Sequence, residues 1–196
     1  MKKIIFLLAA MAVVIAAAIV ACQDLASNVP TAKKEIPDSA LIARGDYLVT
    51  SMLCDDCHSP KSMGPEGPVI IPELRLSGHT AGTVLPAFDS NEVKKGWVLF
   101  SPDFTAIAGP WGASFAGNIT SDATGIGNWS YEQFKRAITQ GKYKGLETGR
   151  QLLPPMPWPQ FSSLHDDDIR AIYAFLKSTP PVKNIVPAPK KLSQLN

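Results

Sequence analysis

The sequence has 196 residues and a formal net charge of +2, from 19 basic and 17 acidic side chains. This near balance provides no excess of basic surface, so a nucleic-acid-binding protein is excluded. Residues 22–196, which follow the apolar N-terminus, are long enough for one domain and too short for two of ordinary size.

The N-terminus has the pattern of an export signal. Lys2 and Lys3 precede an uncharged, apolar run over residues 4–21. Residues 19–22 read Ile-Val-Ala-Cys and resemble the bacterial lipobox, so we expect residues 1–21 to be a lipoprotein signal peptide and Cys22 to carry lipid. The alternative is that the run remains as a transmembrane helix. In either case the lysines stay in the cytoplasm and the rest of the chain faces the periplasm or the cell exterior.

Ordered structure is predicted to begin near Asp38. Residues 22–37 contain prolines and charges without apolar periodicity and are predicted to form a flexible tether. Beyond Asp38, apolar residues recur at helical spacing, which predicts a first helix that runs directly into Cys54. Glycine inside a helix costs about 1 kcal/mol relative to alanine, and we interpret Gly45 as the point where another helix crosses closely.

The strongest chemical signal is the CxxCH motif at residues 54–58. This motif is the attachment sequence of a c-type haem. Cys54 and Cys57 share one side of a helical turn, where each thiol can form a thioether with a haem vinyl group. His58, next to the second cysteine, can then bind the iron. The motif predicts one covalently bound haem c.

Two other interpretations of the cysteine pair are weaker. A thioredoxin-like redox pair would require a βαβ context and a lowered thiolate pKa, and neither is indicated. A structural zinc site needs four ligands, and the remaining candidates, Cys22, His79 and His165, form no second ligand pair. The acids inside the motif, Asp55 and Asp56, are predicted to be solvated linker residues.

The chain between His58 and Trp129 is rich in proline and glycine and has no sustained period. Residues 97–100 and 104–107 flank a Ser-Pro-Asp turn and predict a small β-hairpin. So long an irregular stretch is unusual in a compact domain, and we expect the haem to supply the missing core with loops over its faces. His79 is interpreted as an ordinary loop histidine.

A second helix is predicted from Ser130. Ser130 and Gln133 have the spacing of a capping box, and Gly141 supplies the stop. Phe134, Ala137 and Ile138 would form its buried face.

The last helix is predicted over residues 166–178. Its apolar stripe follows helical spacing, and three aspartates occupy the first turn, where the helix dipole favours negative charge. His165 is expected at its N-cap, and two prolines end it. We expect this helix to be the one that crosses at Gly45, and residues 183–196 to form an extended C-terminal tail.

A proline-rich strap surrounds Met156. Residues 153–159 read Leu-Pro-Pro-Met-Pro-Trp-Pro, and Pro157 directs Met156 toward an extended backbone. Methionine is more often a core filler than a ligand. A stiff strap, however, can present its thioether at a fixed depth, so Met156 is the best candidate for the second axial ligand of the haem iron.

Taken together, these segments resemble a monohaem class I c-type cytochrome and are similar to the cytochrome c subunits and domains of bacterial periplasmic dehydrogenases. The resemblance covers most of residues 40–182, and the matching segments are residues 45–49, 54–58, 112, 118–122, 124–130, 153–158 and 168–176. It implies an all-α fold over residues 38–182, with crossed N- and C-terminal helices around one haem and long irregular loops. It also implies that His58 and Met156 ligate the iron. Trp129 is expected to pack near the haem or to donate its indole N–H to a propionate.

The chain departs from the family pattern in a longer insert between His58 and Asn118. It also contains one CxxCH motif, whereas many dehydrogenase-associated subunits carry several.

The expected function is one-electron transfer by a membrane-anchored protein of the cell envelope, without conversion of a substrate. His/Met ligation raises the reduction potential relative to other axial ligand sets. Its redox partners would be a periplasmic dehydrogenase and an oxidase or another cytochrome. Two alternatives remain at this point. One is a haem enzyme or a gas or peroxide sensor with a displaceable sixth ligand. The other is a fixed electron-relay subunit of a dehydrogenase complex.

Overall fold

The structure is a computed structural model that describes residues 38–195; the expected signal peptide, Cys22 and tether lie outside the described residues. Within this part no helix has both the length and the apolar composition needed to cross a membrane. The helices are α1 (Asp38–Ser51), α2 (Cys54–His58), α3 (Ser90–Lys94), α4 (Tyr131–Gln140), α5 (Trp158–Phe161) and α6 (Asp166–Ser178). The strands are β1 (Lys61–Gly64), β2 (Gly67–Ile70), β3 (Leu99–Phe100), β4 (Ala106–Gly109) and β5 (Gly112–Phe115).

The strands correct the expectation of an all-α fold. Strands β1 and β2 form an antiparallel hairpin, and β3, β4 and β5 form an antiparallel sheet in that order. The predicted hairpin is confirmed in the pairing of Leu99 with Ala108 and of Phe100 with Ile107. The third strand of that sheet and the β1–β2 hairpin were not expected.

The predicted crossing of the first and last helices is confirmed. Helices α1 and α6 pack directly on each other, and Gly45 is buried at the contact. A Cβ atom added at Gly45 would lie 2.0 Å from the carbonyl oxygen of Ala171. The glycine therefore permits a close approach of the α1 and α6 backbones that any side chain at this position would block. Leu48 and Val49 from α1 join Ile169 and Ile172 from α6 in the main core.

Helix α1 does not run straight into the CxxCH motif. It ends at Ser51, and Leu53 has a left-handed backbone with φ of 60° before α2 begins at Cys54. An isoleucine or valine would be strained there because positive φ crowds a side chain against the backbone. The break reorients the motif relative to α1.

Helix α4 has the predicted ends, with one difference. The Ser130 hydroxyl accepts a hydrogen bond from the Gln133 backbone N–H at 3.2 Å, and Gly141 closes the helix with φ of 64°. The Gln133 side chain does not return to Ser130 but donates to the carbonyl of Lys144 at 2.8 Å. Half of the predicted capping box is therefore formed, and the other half holds the following loop.

Helix α6 begins after His165, as predicted, and the first aspartate of its acidic first turn pairs with residues of α4 and α6. Asp166 accepts hydrogen bonds from the Tyr131 hydroxyl and the Lys135 ammonium, both at 2.6 Å. Arg170 binds the second carboxylate oxygen at 2.7 Å. The first turn thus ties α6 to α4.

The insert and the tail share a small apolar core, which differs from the expectation that the haem supplies the core of that region. Val93, Ala108 and Ala113 are buried together with Leu195 near the chain end. The tail is joined to the insert by two backbone hydrogen bonds of 2.9 Å between Ala113 and Lys190. His79, expected in a loop, is 2% exposed, and its Nδ1 lies 2.8 Å from Thr105 Oγ1.

Candidate haem site

The two cysteines of the motif lie in α2, half-buried and without a disulfide. Burial, assisted by Asp55, raises the pKa of the Cys54 thiol to about 11. Burial, assisted by Asp56, also raises the pKa of Cys57. Redox-active cysteine pairs depend on a lowered thiol pKa. The surroundings of Cys54 and Cys57 thus have the opposite effect from that needed in a thioredoxin-like site.

The imidazole of His58 is held in one tautomer. Its Nδ1 lies 2.7 Å from the carbonyl oxygen of Gly117. A carbonyl oxygen can only accept, so Nδ1 carries the proton and the lone pair is on Nε2. Burial also lowers the pKa of His58, which favours the neutral ring. A neutral imidazole with one nitrogen anchored is the form in which histidine binds a metal.

Asp55 is buried and paired, which shows that its prediction as a solvated linker was wrong. Arg75 donates to its two carboxylate oxygens at 3.0 and 2.8 Å, and the Ser59 hydroxyl donates at 2.7 Å. Burial opposes the charge, but the hydrogen bonds from Arg75 and Ser59 lower the pKa of Asp55. Asp56 is exposed, as predicted.

Lys61 supplies a second support for the motif. Its ammonium group donates to the carbonyl oxygens of Asp56 and Ser59 at 2.6 and 2.8 Å, and to that of Asp103 at 3.2 Å. Sequence reasoning missed both Lys61 and Arg75. Neither belongs to the motif, and a basic residue in an irregular stretch carries no local signal of its partner.

Met156 is partly buried and packs against the main core. Cys54 and Trp129, also predicted to contact the haem, are partly buried against the same core. Trp129 is also fixed through its backbone, because its carbonyl accepts the Tyr173 hydroxyl at 2.7 Å. Met63, by contrast, is 69% exposed on strand β1.

These residues fit a c-type haem better than a bare metal ion. They offer two thiols one helical turn apart, an imidazole with a free Nε2, and a thioether at the edge of an apolar core. Among residues 38–195, no group of three or more His, Cys, Asp and Glu side chains could hold a metal ion. The described residues therefore provide no four-ligand zinc site, and His79 and His165 lie in the insert and at the start of α6.

Comparison with known proteins decides the family. The gluconate 2-dehydrogenase cytochrome c subunit of Pantoea cypripedii is 31% identical over 139 residues, which are 70% of this chain and 23% of that protein. The cytochrome c subunit of the quinone alcohol dehydrogenase of Gluconobacter oxydans is 33% identical over 139 residues, 70% of this chain and 21% of that protein. The chain is a c-type cytochrome similar to these subunits.

A third relative of the cytochrome matches a shorter segment. The fructose dehydrogenase cytochrome subunit of Gluconobacter japonicus is 38% identical over 87 residues, 43% of this chain and 17% of that protein. The cytochrome thus spans less than a quarter of the length of each of these three relatives. No protein-family model matches the chain.

Proposed function

We propose that the cytochrome is an electron-transfer protein with one haem c, bound covalently through Cys54 and Cys57 and ligated by His58 Nε2 and Met156. The observation that carries this proposal is the 2.7 Å hydrogen bond from His58 Nδ1 to the Gly117 carbonyl. It leaves Nε2 as the one ring nitrogen able to bind iron. The relatives support the same proposal, since their names describe cytochrome subunits of dehydrogenases.

The protein residues act by holding their positions. When bound, the haem supplies a one-electron change at its iron. Gly117 fixes the His58 ring, Arg75 and Lys61 fix the CxxCH turn, and the proline strap fixes Met156. Such a site exchanges electrons without bond changes in the protein, and the His/Met ligand set raises the reduction potential.

Replacing Met156 with alanine tests the ligand assignment. The oxidised wild-type protein should show a methionine-to-iron charge-transfer band, and Met156→Ala should lose it, bind carbon monoxide when reduced, and have a lower reduction potential. Absorption spectra and a redox titration measure these changes. Met63→Ala is the matched control, because this exposed methionine on β1 should be replaceable without effect.

The same spectra test the second function. An enzyme or sensor with a displaceable sixth ligand would show high-spin oxidised iron and ready binding of carbon monoxide in the wild type. Either result would overturn the proposed electron carrier.

The names of the relatives favour one form of the carrier, a fixed relay subunit of a dehydrogenase complex. Lys2, Lys3 and the apolar run before Cys22 support a place at the membrane of the cell envelope, with Cys22 lipidated. Native co-purification from membranes separates a fixed subunit from a carrier that docks transiently with a dehydrogenase, an oxidase or another cytochrome.

A further inference from the structure

A serine side chain of the insert makes a hydrogen bond to the Met156 strap. The hydroxyl of Ser114, on strand β5, donates to the carbonyl oxygen of Pro154 at 2.7 Å, while the Ile107 carbonyl is a more distant acceptor at 3.5 Å. Ser114 is 9% exposed, so water competes little for this hydrogen bond. The indole Nε1–H of Trp111 lies 3.3 Å from the same hydroxyl and donates to it. The Ser114 oxygen accepts from Trp111, and its single hydroxyl proton is therefore donated to the Pro154 carbonyl.

The strap has few other ways to be held. Pro154, Pro155 and Pro157 have no backbone N–H, so the strap can be fixed chiefly through its carbonyl groups. Just before the strap, the Leu152 N–H donates to the Gly141 carbonyl. At its end, the Trp158 ring packs against Gly141, where an added Cβ would lie 2.4 Å from the ring. Among the described residues, Ser114 makes the one hydrogen bond to the backbone of residues 153–156.

The strand that carries Ser114 is itself fixed on both sides. Strand β5 pairs with β4 along one edge, and Ala113 exchanges two backbone hydrogen bonds with Lys190 of the tail on the other. Gly112, with φ of 106°, leaves room for this approach, because an added Cβ would lie 2.1 Å from the Lys190 carbonyl oxygen. The hydroxyl is thus presented to the strap from a rigid support.

We infer that Ser114 is a positioning residue for the sixth iron ligand: its hydrogen bond to Pro154 keeps the Met156 thioether on the iron. This inference rests on the proposed His58/Met156 ligation. It gives the insert between His58 and Asn118 a role in the redox site, since its sheet stabilises the ligand strap. Without the bond, the strap should open more often and expose the iron to external ligands.

The test compares carbon monoxide binding to the reduced protein. Ser114→Ala should increase carbon monoxide affinity about tenfold, the factor expected when one buried hydrogen bond no longer holds the strap closed. The methionine-to-iron band should weaken on mild heating at a lower temperature than in the wild type. Ser62→Ala on strand β1 is the matched control, because Ser62 is exposed and far in sequence from the strap.

A second pair of variants removes the effect of side-chain shape. Ser114→Thr and Ser114→Val are equal in shape, but threonine alone keeps the hydroxyl. The threonine variant should bind carbon monoxide with the affinity of the wild type, and the valine variant about tenfold more tightly. This comparison can be made even if the Ser114→Ala variant does not fold. Equal affinity in the threonine and valine variants would overturn the inference.

A double variant separates this inference from the ligand assignment. In the Met156→Ala background, Ser114→Ala should leave carbon monoxide affinity unchanged, because no ligand remains to be positioned. An unchanged affinity in Ser114→Ala alone, with a normal methionine-to-iron band in the wild type, would overturn the role of Ser114 and leave the proposed function intact. Absence of that band from the wild type would overturn both.

Discussion

Gly45→Ala should destabilise the folded protein by about 3 kcal/mol. Alanine improves helix propensity by about 1 kcal/mol. That gain is outweighed because the new Cβ would lie 2.0 Å from the Ala171 carbonyl oxygen and 2.6 Å from the Phe175 Cβ. Helices α1 and α6 would have to separate, at the upper end of the cost of overpacking a core. Urea unfolding followed by circular dichroism measures the loss.

The control for this substitution lies on the same helix. Ala43 is exposed on α1, so Ala43→Val adds more bulk than Gly45→Ala but meets no neighbouring helix. Its effect should stay within about 1 kcal/mol, the range of surface changes that alter helix propensity. Equal stabilities of the two variants would contradict the close crossing at Gly45.

Arg75→Met should destabilise the protein by about 2–3 kcal/mol at pH 7 and by much less in acid. The change leaves the carboxylate of Asp55, which is 10% exposed, without its cation. Removing one partner of a buried ion pair costs about 3–5 kcal/mol, and the 35% exposure of Arg75 reduces that figure. Unfolding in urea at pH 7 and near pH 4 measures both values.

The sign of the pH effect follows from the pKa of Asp55. In the wild type this pKa is lowered, so the charged form of Asp55 stabilises the folded protein. This stabilisation is fully present above the ordinary aspartate pKa of about 3.9 and is lost as the pH falls through the lowered pKa. In the variant, burial without Arg75 should raise the pKa, and a protonated Asp55 needs no cation. The two proteins should therefore converge in stability as the solution becomes acidic.

Arg44→Met provides the comparison for this pair. Arg44 binds Asp168 at 3.0 Å, but its side chain is half exposed, so the loss should stay below about 1 kcal/mol. The loss of unfolding free energy in Arg75→Met should be larger than in Arg44→Met and should depend on pH. An equally small loss, or one that does not change with pH, would show that Arg75 does not stabilise the charged Asp55.

Local chemistry explains which parts of the fold were predictable. The Gly45 crossing, the Ser130 cap and the Gly141 stop each depend on one or two residues whose role follows from their type and spacing. The CxxCH motif is equally local, since both thiols and the imidazole lie in a single five-residue helix. Such features can be read without knowledge of the rest of the chain.

Features that depend on distant partners could not be predicted in this way. Asp55 reads as a surface residue between two cysteines, and only the folded insert brings Arg75, twenty residues later, to its carboxylate. The small core of the insert joins Val93 and Ala108 to Leu195, which no periodicity connects. The contact of Ser114 with Pro154 spans forty residues. These contacts explain how an irregular insert becomes a support for the motif and the strap.

One haem bound covalently through Cys54 and Cys57 should remain on the chain after denaturation and digestion. Trypsin cleavage after Arg44 and Lys61 releases residues 45–61, which contain both cysteines and His58. Mass spectrometry of the denatured, digested protein, purified from a bacterial host that attaches c-type haem, should find this peptide with the added mass of one haem. Recovery of the same peptide with free thiols or a disulfide, and no haem mass, would show that Cys54 and Cys57 do not bind haem.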